Sequence, residues 1–184
     1  MAKLFLFMMV TLDGYFEGED HDISWHNFDQ EMGEFVVEQT SQVGTILFGR
    51  KTYEMMASYW PTDQAKDEPE AVRMNETPKI VFSKTLKSAD WQNTTLKHEV
   101  NAEEIKKLKE TSEKDIAVFG SSDLCVSLLK ENLLDELRLM INPVILGKGK
   151  LLFQGIDHKL DLKLTKTRNF KNGNRLLYYD VPKY

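Results

Sequence analysis

Apolar and polar positions divide the chain into short strands and amphipathic helices. Residues 3–11 form an apolar run of the kind that a strand buried on both faces shows. "LDGYFEGEDHD" follows as a glycine-punctuated, acidic loop. Over residues 29–40, Met32, Phe35, Val36 and Val37 suit an amphipathic helix with Asp29 near its start. Residues 44–48 predict a strand and 51–58 a helix, and "YWPTDQAKDEPE" a polar loop leading into a short helical piece. Strands are expected at 79–83, 94–99 and 115–119. Residues 101–111 predict a helix, with Asn101 as its cap and Glu104 three residues on, where a capping box wants it. Residues 122–131 predict a helix with Leu124, Val126, Leu128 and Leu129 on or near its buried side. Residues 135–142 predict a strand ended by Pro143, and the last segment two strands around an Asn-Gly turn.

Strand and helix alternate for two thirds of the chain, which implies parallel strands with helices on both faces. The terminal hairpin adds antiparallel strands at one edge, so the expected sheet is mixed. In such a sheet ligands bind at the carboxyl ends of the strands.

The chain has 184 residues, enough for one domain with a sizeable core. A formal net charge of -5 argues against a protein that wraps nucleic acid, yet allows a local basic pocket. Cys125 is the single cysteine, so no intrachain disulfide forms, as suits a cytoplasmic protein. The apolar start, "MAKLFLFMMV", is too short to span a bilayer and reads as a buried first strand.

The candidate chemistry lies at strand ends. "ILFGRKTYE" closes a strand with Gly49 and opens a helix with Arg50, Lys51 and Thr52. Glycine permits a sharp turn or close ligand approach, the Arg50 guanidinium fits phosphate, and a helix N-terminus attracts anions. A solvated helix start is the other reading. Ser83, Lys84 and Thr85 follow the strand "KIVF", where taken alone an ordinary polar loop is the better reading. Phe119, Gly120, Ser121 and Ser122 join a strand to a helix, either as a tight turn with an N-cap or as N–H groups for a pyrophosphate. Three such ends in one sheet favour an anionic cofactor, provided the strands are neighbours.

Asp13 in "TLDGYF" and Asp135-Glu136 in "DELRLM" are acidic candidates for orienting a substrate or moving a proton. An Asx turn with Gly14 and a solvated strand start are the alternatives. His21, His26, His98 and His158 have no zinc-site spacing, so no metal is expected. Cys125 reads as a buried structural thiol. Trp25, Tyr53, Tyr59 and Trp60 flank the pocket in sequence and serve either ring stacking or the core.

"VTLDGYF", "ILFGRKTYE", "KIVFSKTL" and above all "VFGSSDLCVSLLKENLLDELRLMINPVILGKGKLLF" resemble the dihydrofolate reductase-like superfamily. The closer likeness is to the reductase (C-terminal) domain of the bacterial bifunctional riboflavin-biosynthesis deaminase-reductase and its stand-alone relatives, over nearly the whole chain. The resemblance implies a three-layer α/β/α sandwich, NADPH as hydride donor and a homodimer. It implies that Gly49, Arg50, Lys51, Thr52, Ser83, Lys84 and Thr85 lie along the adenosine and phosphates. Phe119, Gly120, Ser121, Ser122 and Leu124 would then serve the pyrophosphate and nicotinamide, with Asp13 and Glu136 facing the substrate. The activity implied is reduction of a small polar substrate, as in a 5-amino-6-(5-phosphoribosylamino)uracil reductase. A dinucleotide-binding module without turnover, or an oligomeric scaffold, is the alternative.

Overall fold

The computed structural model describes residues 1–183. Strands β1 (Leu4–Thr11), β2 (Tyr15–Glu17), β3 (Val43–Gly49), β4 (Lys79–Phe82), β5 (Thr94–Lys97), β6 (Asp115–Val118), β7 (Glu136–Asn142), β8 (Lys150–Leu151), β9 (Lys163–Asn169) and β10 (Arg175–Asp180) alternate with five helices. These are α1 (Gln30–Ser41), α2 (Arg50–Ala57), α3 (Ala71–Glu76), α4 (Ala102–Thr111) and α5 (Ser122–Lys130). Eight strands form one sheet in the order β5-β4-β3-β6-β1-β7-β10-β9. The strands from β5 to β7 run parallel, and β10 pairs antiparallel with both β7 and β9. The expected mixed sheet with a C-terminal antiparallel hairpin is the one observed.

Alternate residues of β1 divide the core. Leu4, Leu6 and Val10 join the cluster under α4 and α5, with Ile105, Leu124, Cys125 and Leu128. Phe5 joins Phe48, Tyr53 and Met74 under α2 and α3, while Phe7 and Met9 pack against Met32 and Phe35 of α1. The two-residue period of a strand thus supplies two helix layers from one central segment.

The caps form as their residues dictate. Asp29 accepts from Met32 N (2.9 Å) and Asn101 from Glu104 N (3.1 Å). The Glu104 carboxylate pairs with Lys97 (3.0 Å) across to β5. The acidic loop after β1 contains one short strand: β2 pairs antiparallel with β8 in a separate ribbon. Gly149 on this ribbon has φ +139°, and an added Cβ there would meet the carbonyl of Glu17. Among the described residues no helix is long and apolar enough to cross a membrane.

Candidate active site

β3, β4 and β6 are adjacent in the sheet and parallel, so their carboxyl ends meet on one edge. All three candidate turns therefore face one cleft of about 1430 Å³, lined by Gly49–Thr52, Ser83–Thr85 and Phe119–Ser121. Leu124 lines it too, while Ser122 is buried beneath. The Gly49 N–H donates to the Gly120 carbonyl (3.3 Å), which ties the ends of β3 and β6 together. The peptide bond between Gly120 and Ser121 is cis.

The two glycines mark where backbones approach. A Cβ on Gly49 would lie against the Ser121 hydroxyl and 3.2 Å from its Cβ. A Cβ on Gly120 would come within 2.8 Å of Thr52 Oγ1, and Gly120 also has φ +110°. Neither residue can be enlarged without moving the turn. The two glycines let the ends of β3, β6 and α2 pack against one another, with Ser121 and Thr52 filling the space a Cβ would take.

Arg50 opens α2 and pairs with Glu54 one turn on (3.1 Å). Lys51 Nζ lies 3.4 Å from His21 Nε2, so the acidic loop reaches back over the strand ends. Lys84 makes no hydrogen bond or ion pair among the described residues. Ser83 is spent on structure: its hydroxyl accepts from Thr85 N (3.2 Å) and Leu86 N (2.9 Å). Ser121 is the N-cap residue of α5 and lines the cleft, and its side chain makes no cap hydrogen bond to the first turn of that nine-residue helix. Asp123 in that turn pairs with Lys150 of β8 (3.4 Å).

Two acidic candidates lie elsewhere. Asp13 does not line the cleft. Its carboxylate accepts from Thr11 Oγ1 (2.6 Å), Gly147 N (2.8 Å) and Leu146 N (3.2 Å). The Thr11 bond, then those N–H groups, hold its pKa below the usual carboxylate value. Its evident work is to fasten the loop after β7 to the end of β1. Glu136 begins β7, opposite Phe5 in a parallel register, which puts it on the far edge of the sheet from Gly49. It pairs with Arg138 (2.5 Å) and Lys3 (3.0 Å). Burial would push its pKa up, but the Arg138 bond and charge, and then Lys3, hold it down. The correction follows from strand direction: Glu136 starts β7, away from the strand ends, and is not among the residues that line the cleft.

Asp135, beside it, is part of a buried network rather than a solvated strand start. It accepts from Leu4 N (2.8 Å) and pairs with Lys109 (2.6 Å) and Lys183 (2.9 Å). Among the aromatics, Tyr53 is core and its hydroxyl accepts from Trp91 N (3.0 Å), while Trp60 lines the cleft. Tyr59 meets Glu68 (3.3 Å), and Trp25 stacks edge-on against His26.

The cleft also continues beyond the predicted residues. It runs between α1 and α2–α3 over the face of β1 and β6, with Phe7, Met9 and Phe119 on its floor. Val36, Gln39 and Thr40 of α1 face Met55, Met56 and Met74 across it, and His26 and Phe28 stand at the α1 entrance. The methionines of "TYEMMASYW" were a visible signal for this wall; nothing local in the sequence marked Gln39 or Glu70. Among the described residues no group of three or more His, Cys, Asp or Glu is placed to hold a metal ion.

Residues 2–176 match the model of the RibD C-terminal domain family, and the chain belongs to that family. The uncharacterized protein YyaP of Bacillus subtilis strain 168 is 35% identical over 173 residues, 93% of this chain and 90% of that one. The fold resembles the diaminohydroxyphosphoribosylaminopyrimidine deaminase/5-amino-6-(5-phosphoribosylamino)uracil reductase of Thermotoga maritima, with TM-score 0.70 and 18% identity over 98% of this chain and 57% of that one. It also resembles dihydrofolate reductase of Enterococcus faecalis complexed with NADP(H), with TM-score 0.64 and 15% identity over 98% of this chain and 97% of that one. The fold is therefore the dihydrofolate reductase-like α/β/α sandwich, in a reductase-like family.

Proposed function

We propose that this protein is an NADPH-dependent reductase of the riboflavin-biosynthesis type. It would reduce a C=O or C=N carbon in a pterin-like, pyrimidine or other small polar substrate. The observation that carries this reading is the convergence of three turns on one cleft, with Arg50, Lys51 and Lys84 and the first residues of α2 and α5 among its lining. The residues fit a dinucleotide phosphate: Arg50, Lys51 and Lys84 line the cleft together with the first residues of α2 and the cap residue of α5.

NADPH, when bound, supplies the hydride and is oxidised to NADP⁺. Arg50, Lys51 and Lys84 hold phosphate charge, including the 2′-phosphate that distinguishes NADPH from NADH. The α5 N-terminus takes the pyrophosphate, with Ser121 at its cap and Leu124 packing beside it. Phe7, Met9 and Phe119 form an apolar floor that excludes water from the reacting face. His26 is held neutral, since burial lowers its pKa to about 4, so the proton on the reduced product comes from solvent. Asp13 positions the loops around the cleft without touching the reaction.

A dinucleotide-binding module without turnover is the second reading, favoured by the position of both acidic candidates, Asp13 and Glu136, outside the cleft lining. Titration with NADPH and NADH, followed by nicotinamide fluorescence and melting temperature, tests the first. Tight NADPH binding that weakens in Arg50→Ala is expected, and no binding of either nucleotide would sink it. The resemblance also supports a homodimer, which light scattering measures.

A further inference from the structure

Five methionines, Met8, Met9, Met55, Met56 and Met74, line the cleft, and their access to solvent is unequal. Met74 is buried, as are Met32 and Met140 in the core. Met8, Met9 and Met56 are half-buried. Met55 is 46% exposed, more open than any other methionine except Met1. Met1 precedes β1, whose carboxyl end, not its start, meets the cleft.

The helix separates the two members of the Met55-Met56 dipeptide. Successive residues of an α-helix point about 100° apart, so neighbours in sequence need not share surroundings. Met56 packs against the core cluster around Phe48 and Tyr53, and its Sδ accepts from Trp60 Nε1 (3.1 Å). The Ser58 hydroxyl donates to the backbone carbonyl of Met55 (2.7 Å), but among the described residues nothing donates to the Met55 sulfur. A thioether reacts with a peroxide through a sulfur lone pair, so both access and an unengaged lone pair favour the reaction. Met55 has both; Met56 has one lone pair drawn on by Trp60 and less access.

We propose that Met55 is a reversible oxidation site on the cleft wall, where hydroperoxides convert its thioether to the sulfoxide ahead of Met56 and the other cleft methionines. The sulfur lone pair takes one peroxide oxygen as the O–O bond breaks. Sulfur is oxidised by two electrons, the hydroperoxide is reduced to water or an alcohol, and the leaving oxygen takes its proton from solvent. Methionine sulfoxide reductases reverse the step with a thiol reductant. The sulfoxide puts a polar, hydrated group on a lining that includes the exposed apolar residues Ile23 and Phe28, and so weakens apolar occupants of the cleft.

The protein is treated with graded hydrogen peroxide, and tandem mass spectrometry places the added oxygen within the peptide that holds both residues. Met55 should be converted at least about tenfold faster than Met56. The cleft is then probed with anilinonaphthalenesulfonate, a dye that fluoresces in apolar surroundings. Oxidation should weaken the dye by about fivefold in the wild type and by less than about twofold in Met55→Leu. Met1 is oxidised in both proteins and is thereby controlled for. Unoxidised Met55→Gln should reproduce the loss, and methionine sulfoxide reductase with dithiothreitol should reverse it in the wild type. Conversion of Met56 at a rate within about twofold of Met55 overturns the assignment. Equal losses in the wild type and Met55→Leu, or full dye affinity in Met55→Gln, overturn its effect on the cleft. Neither readout uses a nucleotide, so both stand apart from the NADPH titration.

Discussion

Gly49→Ala is the sharpest test of the packed strand ends. Gly49 has an ordinary extended backbone (φ -76°, ψ 159°), so alanine adds no backbone strain and the cost is steric alone. The new methyl would collide with the Ser121 hydroxyl and sit 3.2 Å from Ser121 Cβ and 3.4 Å from its nitrogen. Rotating the hydroxyl removes the worst contact, but the Cβ must still retreat by a few tenths of an ångström. Overpacking of this size costs about 1–3 kcal/mol. Ser121 heads α5, so its retreat also tilts the N–H groups proposed to meet the pyrophosphate. Loss of one hydrogen bond to a charged group, about 1.5–3 kcal/mol, weakens NADPH roughly 10- to 100-fold. The second mutation is Ser121→Gly, which leaves only the nitrogen at 3.4 Å, an ordinary contact. Urea unfolding and nicotinamide fluorescence on both single variants and the double variant close a cycle. The double variant should recover most of the stability lost in Gly49→Ala, with a coupling of at least about 1 kcal/mol. Additive losses would refute the contact, and unchanged NADPH affinity in Gly49→Ala would refute the part these ends play in the cofactor site.

Other consequences are simpler. Arg50→Ala and Lys84→Ala should each weaken NADPH by about tenfold and NADH by less. The urea midpoint should hardly move in Arg50→Ala, because the exposed pair with Glu54 contributes little to stability. Asp135→Ala should cost about 3 kcal/mol in urea unfolding, since it strands Lys109 in a buried site, and should leave NADPH affinity intact. For Asp135 itself, burial pushes the pKa up, but bonds from Leu4, Lys109 and Lys183 outweigh it and hold the pKa below 3.8. Its contribution is therefore present above pH 3.8 and lost as pH falls through the lower folded value, so Asp135→Ala should flatten the acid limb of the stability profile. Burial raises the Cys125 thiol to about 12, so Ellman's reagent at about pH 8 should label it only after denaturation.

Much of this protein is legible along the chain because the forces involved are local. Strand and helix periods, the Asp29 and Asn101 caps and the Asn172-Gly173 turn each depend on residues a few positions apart. The strand-end residues Gly49–Thr52, Ser83–Thr85 and Phe119–Ser121 were legible for the same reason: in a parallel sheet the end of every strand faces one edge, so adjacency of β3, β4 and β6 sufficed to gather them. Direction also decided Glu136, since a residue that starts β7 must sit on the opposite edge, where Arg138 and Lys3 pair with it. Asp13 was settled by a loop 133 residues away, whose N–H groups occupy its carboxylate. The inner half of the cleft belongs wholly to the tertiary structure. Phe7, Gln39, Met56 and Glu70 come from different elements, and only tertiary packing, with α3 docked on the end of α1 through Arg73, brings them onto one cleft wall. Periodicity records which side of an element is apolar; which elements face each other across a gap is set by packing over the whole sheet.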